Sequence, residues 1–319
     1  MFKALVLVRN FASQADRLNF KEFNIGVVGL GFKEFREVFS SFDINQDDWI
    51  FEKIYHELPP GPPGSPVGGI PNDIEDVLLL LRLFKPGDVS FVKQVIIPPN
   101  GKNLVQFPYG AVNDLNSYSS ARFDAQLEDC ESWQAFAANI RRSESWRSAW
   151  FSAARRFFLS GGAKQFNPQW DEVDRIVDYA TALEATLVPE KDYSTRRISR
   201  RAAALLAPEN SGEAEVIAKF LRKFYGIRSQ IVHGSGLGSE NRTWLAANFL
   251  QIEIQVRQIL TAAVRVLPPE EDKRRIFLSR LYDPTDEDRG CIALDKFKEI
   301  KDEAVRKAIA AKIVRIAGG

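Results

Sequence analysis

The sequence predicts an α+β chain: an N-terminal mixed α/β module followed by an all-α helical bundle. Three observations predict it. Strand-like runs such as Met1 to Val8 and Val89 to Ile97 are confined to the first part of the chain. A proline- and glycine-rich stretch, Pro59-Pro60-Gly61-Pro62-Pro63-Gly64-Ser65-Pro66, separates two such runs as a rigid, solvated surface loop. From Glu128 onward, apolar residues recur at three- and four-residue spacing, the period of a helix with one buried face.

Met1 to Val8, Asn19 to Val28, Trp49 to His56 and Val89 to Ile97 read as strands, with Phe23, Ile25 and Val27 alternating in the second. Asp73 to Phe84 reads as a short helix, deeply buried because Leu78-Leu79-Leu80-Leu81 is apolar all round. Glu128 to Ile140 and Glu144 to Leu159 are the next helices. Ser160-Gly161-Gly162-Ala163 then has the composition of a hinge, which places a domain boundary near residue 162 and gives modules 1–162 and 163–319. In the second module, helices are expected over Asp171 to Val188, Thr195 to Leu206, Glu213 to Val232 and Arg242 to Val266, the last stopped by Pro268-Pro269. Four helices in about a hundred residues pack most simply as a bundle. Glu270 to Leu281 and Asp295 to Ile316 extend it.

Composition limits the function classes. The chain has 319 residues, 45% of them hydrophobic, enough to bury two cores. Forty-three Lys plus Arg against forty-two Asp plus Glu leave a formal charge of +1, so there is no global basic signature of a nucleic-acid binder and any attraction must be local. Lys191, Arg196, Arg197, Arg200 and Arg201, with Lys219, Arg222 and Lys223, form such a concentration; a solvated helix face is the competing account. Cys130 and Cys291 lie far apart without CxxC spacing, which argues against a disulfide framework or a zinc site and fits free thiols in a reducing cytoplasm. No apolar run approaches the roughly 20 residues that cross a bilayer. Gly29-Leu30-Gly31 lacks the third glycine and the lysine of a nucleotide loop and reads as a turn. Trp133, Trp146 and Trp150 among Arg141, Arg142, Arg147, Arg155 and Arg156 fit buried tryptophans under an exposed arginine face. His56 reads as a surface or packing residue.

The stretch richest in chemistry is Tyr225-Gly226-Ile227-Arg228-Ser229-Gln230-Ile231-Val232-His233-Gly234. Histidine exchanges a proton near neutral pH, while a guanidinium stays charged and can hold phosphoryl oxygens. At about 100° per residue the Arg228 and His233 directions differ by roughly 140°, so spacing alone implies no contact, whereas Ser229 and His233 share a face. Gly234-Ser235-Gly236 is a C-terminal stop that leaves His233 at the helix end. The structural alternative is a histidine favoured by the macrodipole and an arginine neutralising a buried carboxylate such as Glu184.

Together with Ala182-Leu183-Glu184-Ala185 and Arg200-Arg201-Ala202-Ala203, this stretch resembles the Apea-like branch of the HEPN superfamily of bacterial proteins, over roughly residues 168 to 267. The resemblance implies a helical bundle that pairs so that two arginine–histidine motifs face one cleft, metal-independent RNA cleavage without a cofactor, and Arg228 and His233 as the catalytic pair. Ser229 departs from members with Asn, Asp or His after the arginine; its hydroxyl can hydrogen-bond but is no acid near neutral pH. Glu184 and Tyr225 are supporting residues, Glu184 as an anchor for Arg228 or Arg201, and Arg197, Arg200 and Arg201 are the expected RNA contacts. Expected products are a 2′,3′-cyclic phosphate and a 5′-hydroxyl, in prokaryotic defence or as a growth-arresting toxin with a possible antitoxin or regulatory partner. The competing function is a non-catalytic RNA- or nucleotide-binding or dimerisation module.

Overall fold

A computed structural model describes residues 1–40, 44–87, 89–101, 105–108, 122–163, 171–190 and 195–281. It divides into two compact units, Met1–Ala138 and Asn139–Gly319. The α+β class holds: a largely antiparallel N-terminal sheet, then helices. The helix expected over Asp295 to Ile316, Cys291 and Lys191 lie outside the described residues.

In the first unit, β1 (Phe2–Arg9), β3 (Arg17–Asn19), β4 (Asn24–Val27), β5 (Trp49–Tyr55), β6 (Ser90–Ile97) and β7 (Val105–Pro108) form one antiparallel sheet in the order β3-β4-β5-β1-β6-β7. A second pair, β2 (Phe11–Ser13) and β8 (Phe123–Ala125), runs parallel. Central β1 is buried on both faces from Ala4 to Val8, which is why its apolar run is continuous rather than alternating. Leu5 and Leu7 pack with Val28, Phe39, Ile50 and Val95 on the face covered by the short helix α1 (Phe32–Val38).

Helix α2 (Ile70–Phe84) buries all four residues of the Leu78 to Leu81 run. The proline-rich loop ahead of it closes on itself: the Gly69 N–H donates to the Pro59 carbonyl at 2.8 Å. A Cβ at Gly69 would sit 2.1 Å from the Pro60 carbonyl oxygen, so the closure requires glycine. The expected strand over Asn19 to Val28 is instead two strands, β3 and β4. Lys21 adopts φ 61°, and the turn it makes brings Phe20 and Phe23 into a stack 4.7 Å apart, edge-on to buried Trp133 of α3 (Asp129–Arg141). Gly29 and Gly31 fall in a 3₁₀ turn, Val28–Gly31.

The second unit holds α4 (Ala149–Ala163), α5 (Asp171–Leu187), α6 (Thr195–Leu206), α7 (Ser211–Val232), α8 (Ser239–Val266) and α9 (Glu271–Leu281). The helix expected from Glu144 begins as a 3₁₀ turn, Glu144–Arg147, and restarts where the Ser148 hydroxyl caps α4 by accepting from the Phe151 N–H at 3.2 Å.

The hinge expected at Ser160 to Ala163 is the last turn of α4, and the division between the units falls at Ala138 rather than near residue 162. Packing overrides the glycines' intrinsic flexibility. Gly161 lies against the Tyr179 ring of α5, and Ser160 Oγ donates to Asp178 at 2.8 Å. Trp133, Trp146 and Trp150 are buried, as the pattern suggested, and of the five arginines Arg142, Arg147 and Arg156 are exposed while Arg141 and Arg155 are half-buried.

Charged residues inside the bundle hold α5. Arg175 is fully buried, with its guanidinium 4.4 Å from the Phe249 ring centre and 3.6 Å from buried Glu253 of α8. At the C-terminal end of α5, Arg274 donates to the carbonyls of Ala185 and Thr186 at 2.5 and 2.9 Å, and Arg201 donates to that of Leu187 at 2.7 Å. Two guanidiniums thereby satisfy carbonyls that a helix end leaves without intrahelical partners, at the negative pole of its macrodipole. Burial pushes the Arg274 pKa down to about 10 against the pull of Glu271 and Glu190, so the group stays charged at neutral pH.

Candidate functional site

Helix α7 positions the motif. Asn210 opens it, its side chain accepting from the Glu213 N–H at 3.1 Å. Ala214, Ile217, Ala218, Leu221, Phe224, Tyr225 and Ile227 form its buried face. Val216 is 69% exposed and Val232 48% exposed, so the ends of the expected apolar stripe lie outside the core. The helix ends in a Schellman arrangement: the Ser235 N–H donates to the Gln230 carbonyl and the Gly234 N–H to that of Ile231, with Gly234 at φ 69°. His233 is the capping residue. Its backbone N–H donates to the Ser229 carbonyl at 3.0 Å while the residue stands exposed.

Arg228 faces the other way. Its Nη2 lies 3.1 and 3.2 Å from the two carboxylate oxygens of Glu184 on α5, and its Nε is buried without a hydrogen-bond partner. One turn earlier, the Tyr225 hydroxyl donates to the Ala180 carbonyl at 2.8 Å. Residues 225 and 228 of α7 thus grip residues 180 and 184 of α5, each pair on one helix face. The Arg228 side chain keeps 25% exposure against 12% for Glu184, so the pair sits at the edge of the core.

Burial raises the Glu184 carboxyl above its ordinary pKa, and the Arg228 charge opposes this without cancelling it. Burial, and then the Glu184 charge, push the Tyr225 phenol well up, which keeps it a hydrogen-bond donor. Of the two anchors weighed for Glu184, the structure selects Arg228. Ser229 is half-buried and meets His233 through the backbone. Arg228 and His233 leave α7 in widely different directions, as their spacing leads one to expect, and no hydrogen bond joins them within the chain.

The expected RNA contacts divide. Arg201 is 1% exposed and forks onto Glu190 at 2.8 and 2.9 Å while reaching the Leu187 carbonyl; it is a core residue and no ligand can reach it. This corrects its assignment as an RNA contact. The reason is rotational: one residue along a helix turns the side chain by about 100°, so Arg201 points to the C-terminal end of α5 while Arg200, its side chain 10% exposed, points to Glu215 of α7. Arg200 meets Glu215 at 2.5 Å, and Arg222 meets the same carboxylate at 2.7 Å. Arg197 is half-buried.

Sequence reasoning missed Glu190, the partner of Arg201, and the buried Arg175–Glu253 pair; no spacing rule links residues 11 or 78 positions apart in the chain. Among the described residues no helix is long and apolar enough to cross a membrane, and no group of three or more His, Cys, Asp or Glu side chains could hold a metal ion. Compared with protein-family models, curated proteins and solved structures, the chain matches none.

Proposed function

We propose that this chain is a metal-independent endoribonuclease of the HEPN type that works as a homodimer in the cytoplasm, in prokaryotic defence or growth arrest under a regulatory or antitoxin partner. The observation that carries the reading is the end of α7: an imidazole exposed at a Schellman cap, five residues past an arginine that a carboxylate holds at the edge of the core.

Cleavage through the substrate's own 2′-hydroxyl needs a base for that proton, an acid for the departing 5′ oxygen, and positive charge beside the crowded phosphorus. A single chain supplies one imidazole at this site. A twofold pair supplies two copies of His233, one for each proton transfer, and two guanidiniums of Arg228 for the phosphoryl oxygens. Glu184 acts as a positioning residue by fixing Arg228. The 2′ oxygen bonds to phosphorus as the bond to the 5′ oxygen breaks, leaving a 2′,3′-cyclic phosphate and a 5′-hydroxyl.

The test is purified full-length protein with chelator and labelled RNA, comparing wild type with His233→Ala and Arg228→Ala. Cleavage by the wild type should fall by two or more orders of magnitude in both variants, and the matching DNA should resist. Cleavage that survives both substitutions rejects this site. A second reading, a non-catalytic RNA-binding or dimerisation module, is favoured by the ion pair that already occupies Arg228. RNA binding without cleavage in the same assay selects it.

A further inference from the structure

Gly226 sits inside a 22-residue helix, six residues before its last, where glycine costs roughly 0.8–1 kcal/mol relative to alanine. Nothing among the described residues calls for it. Its φ is not in the left-handed region, the position is exposed, and a Cβ built there would meet no atom within 4 Å. A helical glycine with neither a backbone nor a packing reason marks a place where something outside the chain comes close to the backbone.

Its neighbours on the helix surface indicate what. At 100° per residue, Lys219, Lys223, Gly226, Gln230 and His233 fall within about 40° of one line along α7, a track about 21 Å long. Lys219 is exposed and has no ion pair among the described residues. Lys223 keeps 38% exposure and its carboxylate partner, Glu240 at 3.2 Å, is 89% exposed and can swing away. Arg222, 38% exposed, flanks the track, and Arg200, 10% exposed, holds the same Glu215 carboxylate from α6. The four cations Lys219, Lys223, Arg222 and Arg200 against the two carboxylates Glu215 and Glu240 leave this face net positive, which opposes a second copy of the same face. They favour a polyanion.

We infer that this face of α7 is a backbone-binding track for single-stranded RNA, with Gly226 as the point of closest approach and Lys219 and Lys223 on successive phosphates. The inference rests on the RNA reading proposed above and extends it: the track delivers the strand to His233 at its end. Its bonds are to phosphates, so it carries no sequence preference.

The test uses the full chain and a labelled single-stranded 2′-O-methyl oligoribonucleotide, which lacks the nucleophile and stays intact. Gly226→Leu supplies a good helix former, so its melting temperature should match or exceed that of the wild type, while its affinity for the oligonucleotide falls tenfold or more. Lys219→Ala with Lys223→Ala should weaken binding and flatten the slope of log affinity against log salt by about 1.4, about 0.7 for each phosphate no longer neutralised. Wild-type affinity in Gly226→Leu, or a salt slope unchanged in the double variant, overturns the track. So does a Gly226→Leu protein that loses self-association in sedimentation, which would assign the notch to a second copy. If the wild type cleaves ordinary RNA yet these variants bind normally, the track alone fails; if it neither binds nor cleaves, the nuclease reading fails with it.

Discussion

Replacing Arg201 with methionine separates its structural role from an RNA-binding one. Methionine keeps the apolar stem and removes the guanidinium, with its 2.8 and 2.9 Å bonds to Glu190 and its 2.7 Å bond to the Leu187 carbonyl. Removing one partner of a buried ion pair costs about 3–5 kcal/mol. Glu190 retains 22% exposure, so water recovers part of the loss and the cost falls at the lower end, about 3 kcal/mol. For a unit of this size, at about 2–4 °C per kcal/mol, the melting temperature should fall by about 6–12 °C. Calorimetry on the wild type, Arg201→Met, Glu190→Gln and the double variant would test this, with the double variant close to the worse single one. The reasoning is refuted by a fall smaller than about 2 °C, or by RNA affinity that drops while the melting temperature holds.

Burial raises the Glu190 carboxyl, but the hydrogen bonds and charge of Arg201, with the charge of Arg197, outweigh it and leave the pKa below the ordinary value. A depressed folded-state pKa contributes stability above the unfolded value of about 4.3, and that contribution disappears as pH falls through the folded value. Stability measured from about pH 6 downward should therefore drop more steeply in the wild type than in Glu190→Gln; parallel curves would contradict it. At Gly161, a methyl would meet the Tyr179 ring at 2.8 Å. Gly161→Ala should thus lose about 1–3 kcal/mol from overpacking, more than the roughly 1 kcal/mol that helix propensity returns, and a stabilised variant in urea titration would refute this. Gly234→Ala forces a side chain into φ 69° at the cap that presents His233. It should lose about 1–2 kcal/mol of stability and reduce RNA cleavage by more than it reduces folded protein; unchanged activity would separate cap geometry from His233 function.

Much of the helical unit was legible because its signals are local. The bounds of α6 agree with the sequence reading at both ends, and α5 and α7 agree within two residues, since periodicity and the Gly234 stop act on neighbours along the chain. The N-terminal unit was less legible. β2, β7 and β8 are three- or four-residue strands without a usable period, and β2 pairs with a strand more than a hundred residues away. Ser160 to Ala163 misled because glycine composition speaks of the isolated chain, whereas the Tyr179 ring holds Gly161 in a helix. At the candidate site, the helix, its stop and the exposed end at His233 were readable; the buried fate of Arg201 was not.

The amino-acid order by itself determined the α+β succession, the helical period around Arg228 and the cap that leaves His233 at a helix end. Each follows from backbone geometry and from side chains within a few residues of one another. Only the tertiary structure decided that Arg228 turns to Glu184, that Arg201 forks onto Glu190 while adjacent Arg200 turns to Glu215, and that Gly161 is packed while Gly226 stands open. Those outcomes depend on which helix lies against which. The physical reason is that a charged or small side chain takes its role from the partner that burial brings to it, and that partner comes from another segment of the chain.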